Sequence, residues 1–262
     1  MLGQALVRRL RCEGMHVLTL QRDALDAHAP DFASIGKLEP QAVVNAIGLI
    51  NRRMHLPESE FLRVNSLFPR RLADYCQERA LTMVHVSTDC VFDGGGGPYD
   101  ESSACLADDT YGRSKLWGEP ANALVLRTSI IGLELHNFYS LLCWFLAQEG
   151  PVRGFVNHLW NGVTTWQLSG AVASVLRQGQ APHGIRHVHG QDLSKYELLQ
   201  LMAKTYGRSC HIEPVEDVRA RDTRLRTLHP QFLDALGVAP MQEQLAQLRR
   251  LSDGYGHWGD SP

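Results

Sequence analysis

Residues Thr82 to Phe92 read TMVHVSTDCVF, and the fold turns on whether their first half is a strand buried on both faces. Its apolar run is nearly continuous rather than alternating with polar residues. AVVNAIGLI (Ala42 to Ile50), ALVLRTSII (Ala123 to Ile131) and the shorter MHVLTL (Met15 to Leu20) share that character. Strands of this kind lie inside parallel sheets. Helix-period segments fall between them: one opening at Gly3, with Ala5, Leu6 and Leu10 at helical spacing, then ESEFLRVNSLFPRRLADYCQERA and YGRSKLWGEP, the last stopped near Pro120. Strand and helix taking turns predict an α/β fold, a doubly wound parallel sheet covered by helices on both faces.

After residue 132 the rhythm changes. A helix NFYSLLCWFLAQEG leads into the irregular PVRGFVNHLWNG, and capping-box patterns at Thr164–Gln167 and Ser194–Glu197 each open an apolar-periodic helix. The expected division is 1–132 for the sheet domain and 133–262 for a smaller mixed lobe, with a returning strand near 184–190. The run Gly94 to Gly97 reads as a flexible surface turn, since no helix starts directly after it to cradle a phosphate. The stretch from His211 to Gly237 gives no sign of its role.

Composition excludes several partners. With 26 Lys and Arg against 28 Asp and Glu, the net charge of -2 leaves no electrostatic footprint for a nucleic acid or an anionic membrane. No apolar run approaches the roughly 20 residues of a membrane-spanning helix. The basic runs Arg8-Arg9-Arg11 and Arg249-Arg250 read as solvated helix faces. Six cysteines without Cys-x-x-Cys spacing read as reduced thiols. With no membrane span and no signal peptide before the first helix, the expected site of action is the cytoplasm. His187 and His189 alternate on one strand and could share a metal, but no third ligand is near in sequence, so no metal is expected.

Two features carry chemistry. Gly3 at the head of the first helix fits the last glycine of a dinucleotide-binding turn, whose helix N-terminus faces a pyrophosphate. The preceding strand and glycines are absent, so Met1 is expected to be internal, with about 10 to 15 residues upstream in the complete protein. The second feature is YGRSK. Tyr111 and Lys115 are four apart and share a helix face. A nearby ammonium favours phenolate and would lower a tyrosine from about 10 toward the range of an acid–base catalyst. One connection earlier, Ser87, Thr88 and Asp89 end a parallel strand at its carboxyl edge, where open α/β sheets bind ligands.

At these residues the chain resembles the extended short-chain dehydrogenase/reductases, and among them the dTDP-4-dehydrorhamnose reductase-like, sugar-nucleotide-binding branch. The resemblance runs from Met1 to about Gly207 through MLGQAL, VVNAIGLIN, FLRVNSLFPRRLADYC, VHVSTDCVFDG, PYDE, YGRSKLWGE, LRTSIIG and SKYELLQLM. It implies a Rossmann-like domain and a reductase in which Tyr111 protonates the alkoxide formed from a carbonyl. Lys115 would lower the phenol and bind the nicotinamide ribose. Thr88 would hydrogen-bond the substrate carbonyl, with Ser87 a weaker candidate beside it. Asn45, Ala46 and Ile47 would line the cofactor, Asn65 would support it, and Arg127, with Thr128 a lesser candidate, would stand near the nicotinamide. For Asn45 and Asn65 a satisfied buried amide is the alternative.

Where the second strand ends, Gln21 and Arg22 replace the acid that would bind the ribose of NAD, so NADP(H) is expected over NAD(H), although Asp23 is adjacent. From the second lobe, Arg153, Asn157 and Trp160 are candidates for the substrate's diphosphate, sugar hydroxyls and a base or sugar face, with packing the alternative for Trp160 and Phe155. The expected activity is NADPH-dependent reduction of a 4-keto-6-deoxy sugar nucleotide for polysaccharide synthesis. Two alternatives remain. One is an epimerase or dehydratase, against which Cys90 stands where dehydratase relatives carry glutamate. The other is a non-catalytic NADP- or sugar-nucleotide-binding regulatory protein, since the family includes a regulatory subunit of methionine adenosyltransferase. A homodimer is left open.

Overall fold

The computed structural model describes residues 1–50, 56–134, 140–179 and 181–253. Helix α1 (Leu2–Cys12) buries Ala5, Leu6 and Leu10, the stripe its spacing predicts. After α2 (Ala33–Gly36), strand β1 (Ala42–Asn45) ends well before the expected Ile50. Helix α3 (Glu58–Phe61) runs through a π-helical segment, Leu62–Leu67, into α4 (Phe68–Glu78). Then come β2 (Thr82–Val86), a 3-10 turn (Asp89–Val91), α5 (Thr110–Trp117), β3 (Leu124–Arg127) and β4 (Ile130–Ile131). The second half contains α6 (Leu141–Leu146), β5 (Val152–Phe155), β6 (His158–Trp160), β7 (Val163–Thr164), α7 (Thr165–Arg177), β8 (Gly184–His187) and β9 (Leu193–Ser194). It closes with α8 (Lys195–Tyr206), β10 (Ile212–Val215), β11 (Arg221–Asp222), α9 (Pro230–Ala235) and α10 (Met241–Asp253). The first residues of the helix expected from Asn137 lie outside the described residues.

The main sheet has the order β1-β2-β3-β8 and every pairing in it is parallel. All four residues of β3, and four of the five in β2, are buried, as a strand covered on both faces requires. Successive residues point to opposite faces. Val84, Val86, Leu124 and Leu126 therefore pack with Leu6 and the α7 residues Leu168 and Val172, while Met83 packs with Phe68 and Leu72 of α4. A second core joins Leu142, Phe145, Trp160, Leu198, Met202 and Leu245 in the mixed lobe. The chain crosses between these two cores more than once, because α7 packs on the main sheet and β8, the returning strand, completes it.

One expectation is corrected and another narrowed. Met15 to Leu20 forms no ladder. A strand needs a partner, and among the described residues β1 pairs only with β2, so this segment stays unpaired, with Leu18 48% exposed. The glycine run is exposed at Gly95 and Gly96, as a surface turn is, but its ends are held. Gly94 is buried at a positive φ of 77°, and a Cβ on Gly97 would collide with the Asp222 carbonyl, so the run lies against β11. Of the two capping patterns, Ser194 and Glu197 form the full reciprocal box. Thr164 accepts from the Gln167 amide, but the Gln167 side chain donates to Gly237 instead.

Candidate active site

The site is assembled where β2 ends and α5 begins. Asp109 caps α5, its carboxylate accepting from the Gly112 amide at 2.6 Å. Gly112 lies so close to the Cys90 carbonyl, and Gly118 to that of Asn65, that a Cβ at either would clash. The glycines thus let α5 press against the 3-10 turn and the π segment. Pro69 contributes to the second contact. Lacking an N–H, it cannot donate to the carbonyl of Asn65 four residues earlier, and the helix there takes the wider π form.

This packing brings Tyr111 to Thr88, Asp89 and Cys90. The Thr88 hydroxyl accepts from the Cys90 amide at 3.1 Å and donates to Asp89 Oδ1 at 3.3 Å. Burial raises the Tyr111 phenol above its ordinary value, as does the Cys90 thiol, and a hydrogen bond with Thr88 opposes them. That corrects the lowering expected from Lys115. The ammonium is turned to the Val86 carbonyl, to which it donates at 2.8 Å, and burial brings its own pKa down to about 8. Burial pushes the Cys90 thiol up to about 12, so it stays protonated and cannot serve as the base of an elimination.

Behind the site lies a buried cluster of which the sequence reading missed one member, Glu119. Glu119 receives Arg127 in a two-pronged pair, Nε to Oε1 at 2.8 Å and Nη2 to Oε2 at 2.7 Å, and Ser87 donates to Oε1 at 2.6 Å. Arg127 is 3% exposed, so its guanidinium braces β3 against α5. The four-residue spacing of Lys115 and Glu119 was the signal available in the sequence. Thr128 is buried, its hydroxyl directed to the Ser129 carbonyl.

The loop after β1 is tied to the same helix. Asn65 accepts from the Leu49 amide at 2.8 Å and donates to the Leu49 carbonyl at 3.1 Å and to Ser114 Oγ at 3.0 Å. A Cβ on Gly48 would sit 3.3 Å from Asn65 Oδ1 and 4.0 Å from Lys115 Nζ. Ile47 is 39% exposed on this loop and Ala46 is half-buried. Asn45 is a satisfied buried amide, paired with His85 Nδ1 at 3.0 Å and accepting from the Ile47 amide. Arg22 is open to solvent, at the far side of 3.9 Å from Asp26. A Cβ on Gly3 meets nothing, so no packing among the described residues asks for glycine there.

The mixed-lobe candidates separate. Arg153 is exposed on β5. Asn157 clips the Asp217 backbone with two hydrogen bonds. Trp160 is 2% exposed and packs the second core, the alternative reading left open for it. One ring face carries Lys195, its ammonium 4.8 Å from the ring centroid. His187 bonds the Arg226 carbonyl, and no group of metal ligands occurs among the described residues. No described helix is long and apolar enough to cross a membrane.

Residues 1–233 match the family described as the RmlD substrate binding domain. The chain belongs to that family. It is 29% identical over 242 residues to a dTDP-4-keto-6-deoxy-D-glucose reductase of Streptomyces niveus, covering 86% of this chain and 83% of that protein. A dTDP-4-dehydrorhamnose reductase of Aggregatibacter actinomycetemcomitans is 31% identical over 188 residues, 68% of this chain and 63% of the relative. The fold matches a Bacillus anthracis dTDP-4-dehydrorhamnose reductase solved in complex with NADP, at a TM-score of 0.77 and 19% identity over 96% of this chain and 95% of that one. A Clostridium acetobutylicum dTDP-4-dehydrorhamnose reductase aligns at a TM-score of 0.77 and 18% identity, covering 96% of each chain. As in these RmlD-family structures, the sheet is Rossmann-like.

Proposed function

We propose that the chain is an NADPH-dependent reductase of a 4-keto-6-deoxy sugar nucleotide, of the dTDP-4-dehydrorhamnose reductase type, making precursors for polysaccharide. The observation that carries this reading is the meeting of Tyr111 with Thr88 at the carboxyl edge of β2, with Lys115 one turn further along α5. The reductase names of the Streptomyces and Aggregatibacter relatives support it. The NADP in the Bacillus anthracis structure supports the cofactor.

The residues present fit a dinucleotide. Gly48 leaves room for a ligand beside Asn65 and Lys115 that a side chain would fill, and the exposed Arg22 suits a 2′-phosphate. Lys115, the 46–50 loop pinned by Asn65, and Arg22 would hold the cofactor, with Gly3 at the helix end that faces its pyrophosphate. When bound, the cofactor supplies the hydride taken up by the carbonyl carbon. Thr88 orients the carbonyl, its hydroxyl turning from Asp89 to donate its one hydrogen bond to the carbonyl oxygen. Tyr111 then gives that oxygen a proton as negative charge develops on it. A phenol raised above its ordinary value is fully protonated at neutral pH, the form this role needs. Arg127 acts through Glu119 and Ser87, holding the strand end that carries Thr88. Arg153 is kept as a diphosphate ligand, being exposed and charged.

The six free thiols suit a reducing cytoplasm. A sugar nucleotide is the proposed partner, and self-association of the chain would be read directly by sedimentation. Turnover is tested by following NADPH oxidation with dTDP-4-keto-6-deoxyglucose. Tyr111→Phe is expected to lose roughly 100- to 10,000-fold in kcat while still binding NADPH. Unchanged turnover would remove the assigned acid.

A further inference from the structure

Lys195 opens α8 from the mixed lobe, and its position is set by two rigid features. The reciprocal Ser194–Glu197 box fixes the first turn of the helix, and the β6–β9 pairing sets Trp160 opposite Leu193, two residues before the lysine. The side chain is half-buried, with the ammonium 4.8 Å over the Trp160 ring. An aromatic face holds a cation without using any of its three donors. No hydrogen bond or ion pair of Lys195 is found among the described residues, so those donors are unspent. Asp89, in the 3-10 turn that also holds Cys90 and adjoins Thr88, is the acidic group whose charge acts most on this ammonium. Asp89 is 5% exposed, and burial raises its carboxyl, with Lys195 the leading influence in the other direction.

Lys195 and Asp89 act on each other without forming an ion pair, so a group that both donates and accepts could bridge them. A sugar hydroxyl is such a group; a phosphate only accepts, and it would be repelled by Asp89. We propose that Lys195 is a positioning residue for the sugar of the nucleotide-sugar substrate, donating to a ring hydroxyl from its seat on Trp160 while Asp89 accepts from the same side. The inference rests on the reductase reading for its substrate class. It gives the mixed lobe a direct hold on the sugar next to Thr88, and it gives the buried Trp160 the role of platform.

The test is calorimetric titration of the whole chain, wild type and variants, with dTDP-glucose and with free dTDP, so that turnover is not needed. Lys195→Met is expected to weaken dTDP-glucose roughly 10- to 100-fold and dTDP less than about two-fold, and Lys195→Arg to recover most of the loss. Circular dichroism checks the fold, and Lys195→Gln replaces the methionine variant if that one fails to fold. Equal losses for dTDP and dTDP-glucose would assign the ammonium to the diphosphate and overturn the proposal, as would unchanged binding of both. Wild-type protein that binds neither ligand would remove the substrate class and the proposal with it. Wild-type binding without reduction of a keto-sugar would remove only the reductase reading, since the comparison of the two ligands still decides the role of Lys195.

Discussion

At the scale of single residues, burial rather than pairing governs the site's proton affinities. The Lys115 ammonium ordinarily titrates at 10.5, and desolvation brings it to about 8, with Glu119 opposing the shift. Between those values the folded chain holds fewer protons than the unfolded one, so Lys115 makes stability rise with pH across that window. Its charge follows the opposite course, present below about 8 and lost above. If the ammonium binds the nicotinamide ribose, the KM for NADPH climbs as pH passes through that value. A KM flat across it would take Lys115 out of cofactor binding. Lys115→Met should remove both the rise in KM and the alkaline gain in stability, the latter read from urea midpoints. Glu119 is held by Arg127 at two points, a pairing whose disruption leaves a charge buried.

Among elements, the site depends on how closely α5 approaches its neighbours. Gly112 lies against the Cys90 carbonyl and Gly118 against that of Asn65, and the Ser66 side chain donates from Oγ to the Ser114 carbonyl at 2.7 Å, tying the π segment to the helix. A methyl on Gly118 has nowhere to go, since it would meet the carbonyl of Asn65 and the ring of Pro69. Gly118→Ala should therefore destabilise by about 1–3 kcal/mol, seen as a lower urea midpoint with an unchanged slope. The comparison is Gly3→Ala in α1, whose added carbon meets nothing and which should hold or raise the midpoint. Equal losses from both would mean that the close approach is not what Gly118 provides. Because Asn65 also holds Leu49, the same substitution should weaken NADPH binding.

Over the whole molecule, what could be read in the sequence was local. β2 and β3 announced themselves through unbroken apolar runs, and Tyr111 with Lys115 through helical spacing, because each signal lies within a few consecutive residues. The Ser87–Glu119–Arg127 cluster joins three separate elements, and Lys195 reaches Trp160 only once the mixed lobe has folded. The segment after Val215 was unreadable for the same reason: its residues clasp segments far away in the chain. Tyr99 exchanges backbone hydrogen bonds with Arg224 and Arg226, while Asn161 holds both backbone groups of Leu225. Glu101 closes the clasp, accepting from the His187 amide and Thr227 hydroxyl at Oε1 and from the Leu228 amide at Oε2. Burial alone would raise this carboxyl, but the bonds from Leu228, Thr227 and His187 outweigh it, leaving Glu101 below its ordinary 4.5. Its contribution is therefore complete above that value and lost as pH falls through the lowered one. Glu101→Gln turns one acceptor into a donor facing an N–H, so the variant should be less stable at about pH 7 and lose less than wild type on acidification. Urea midpoints at the two pH values measure this, and parallel losses in the two proteins would show that the clasp does not depend on the charge of Glu101.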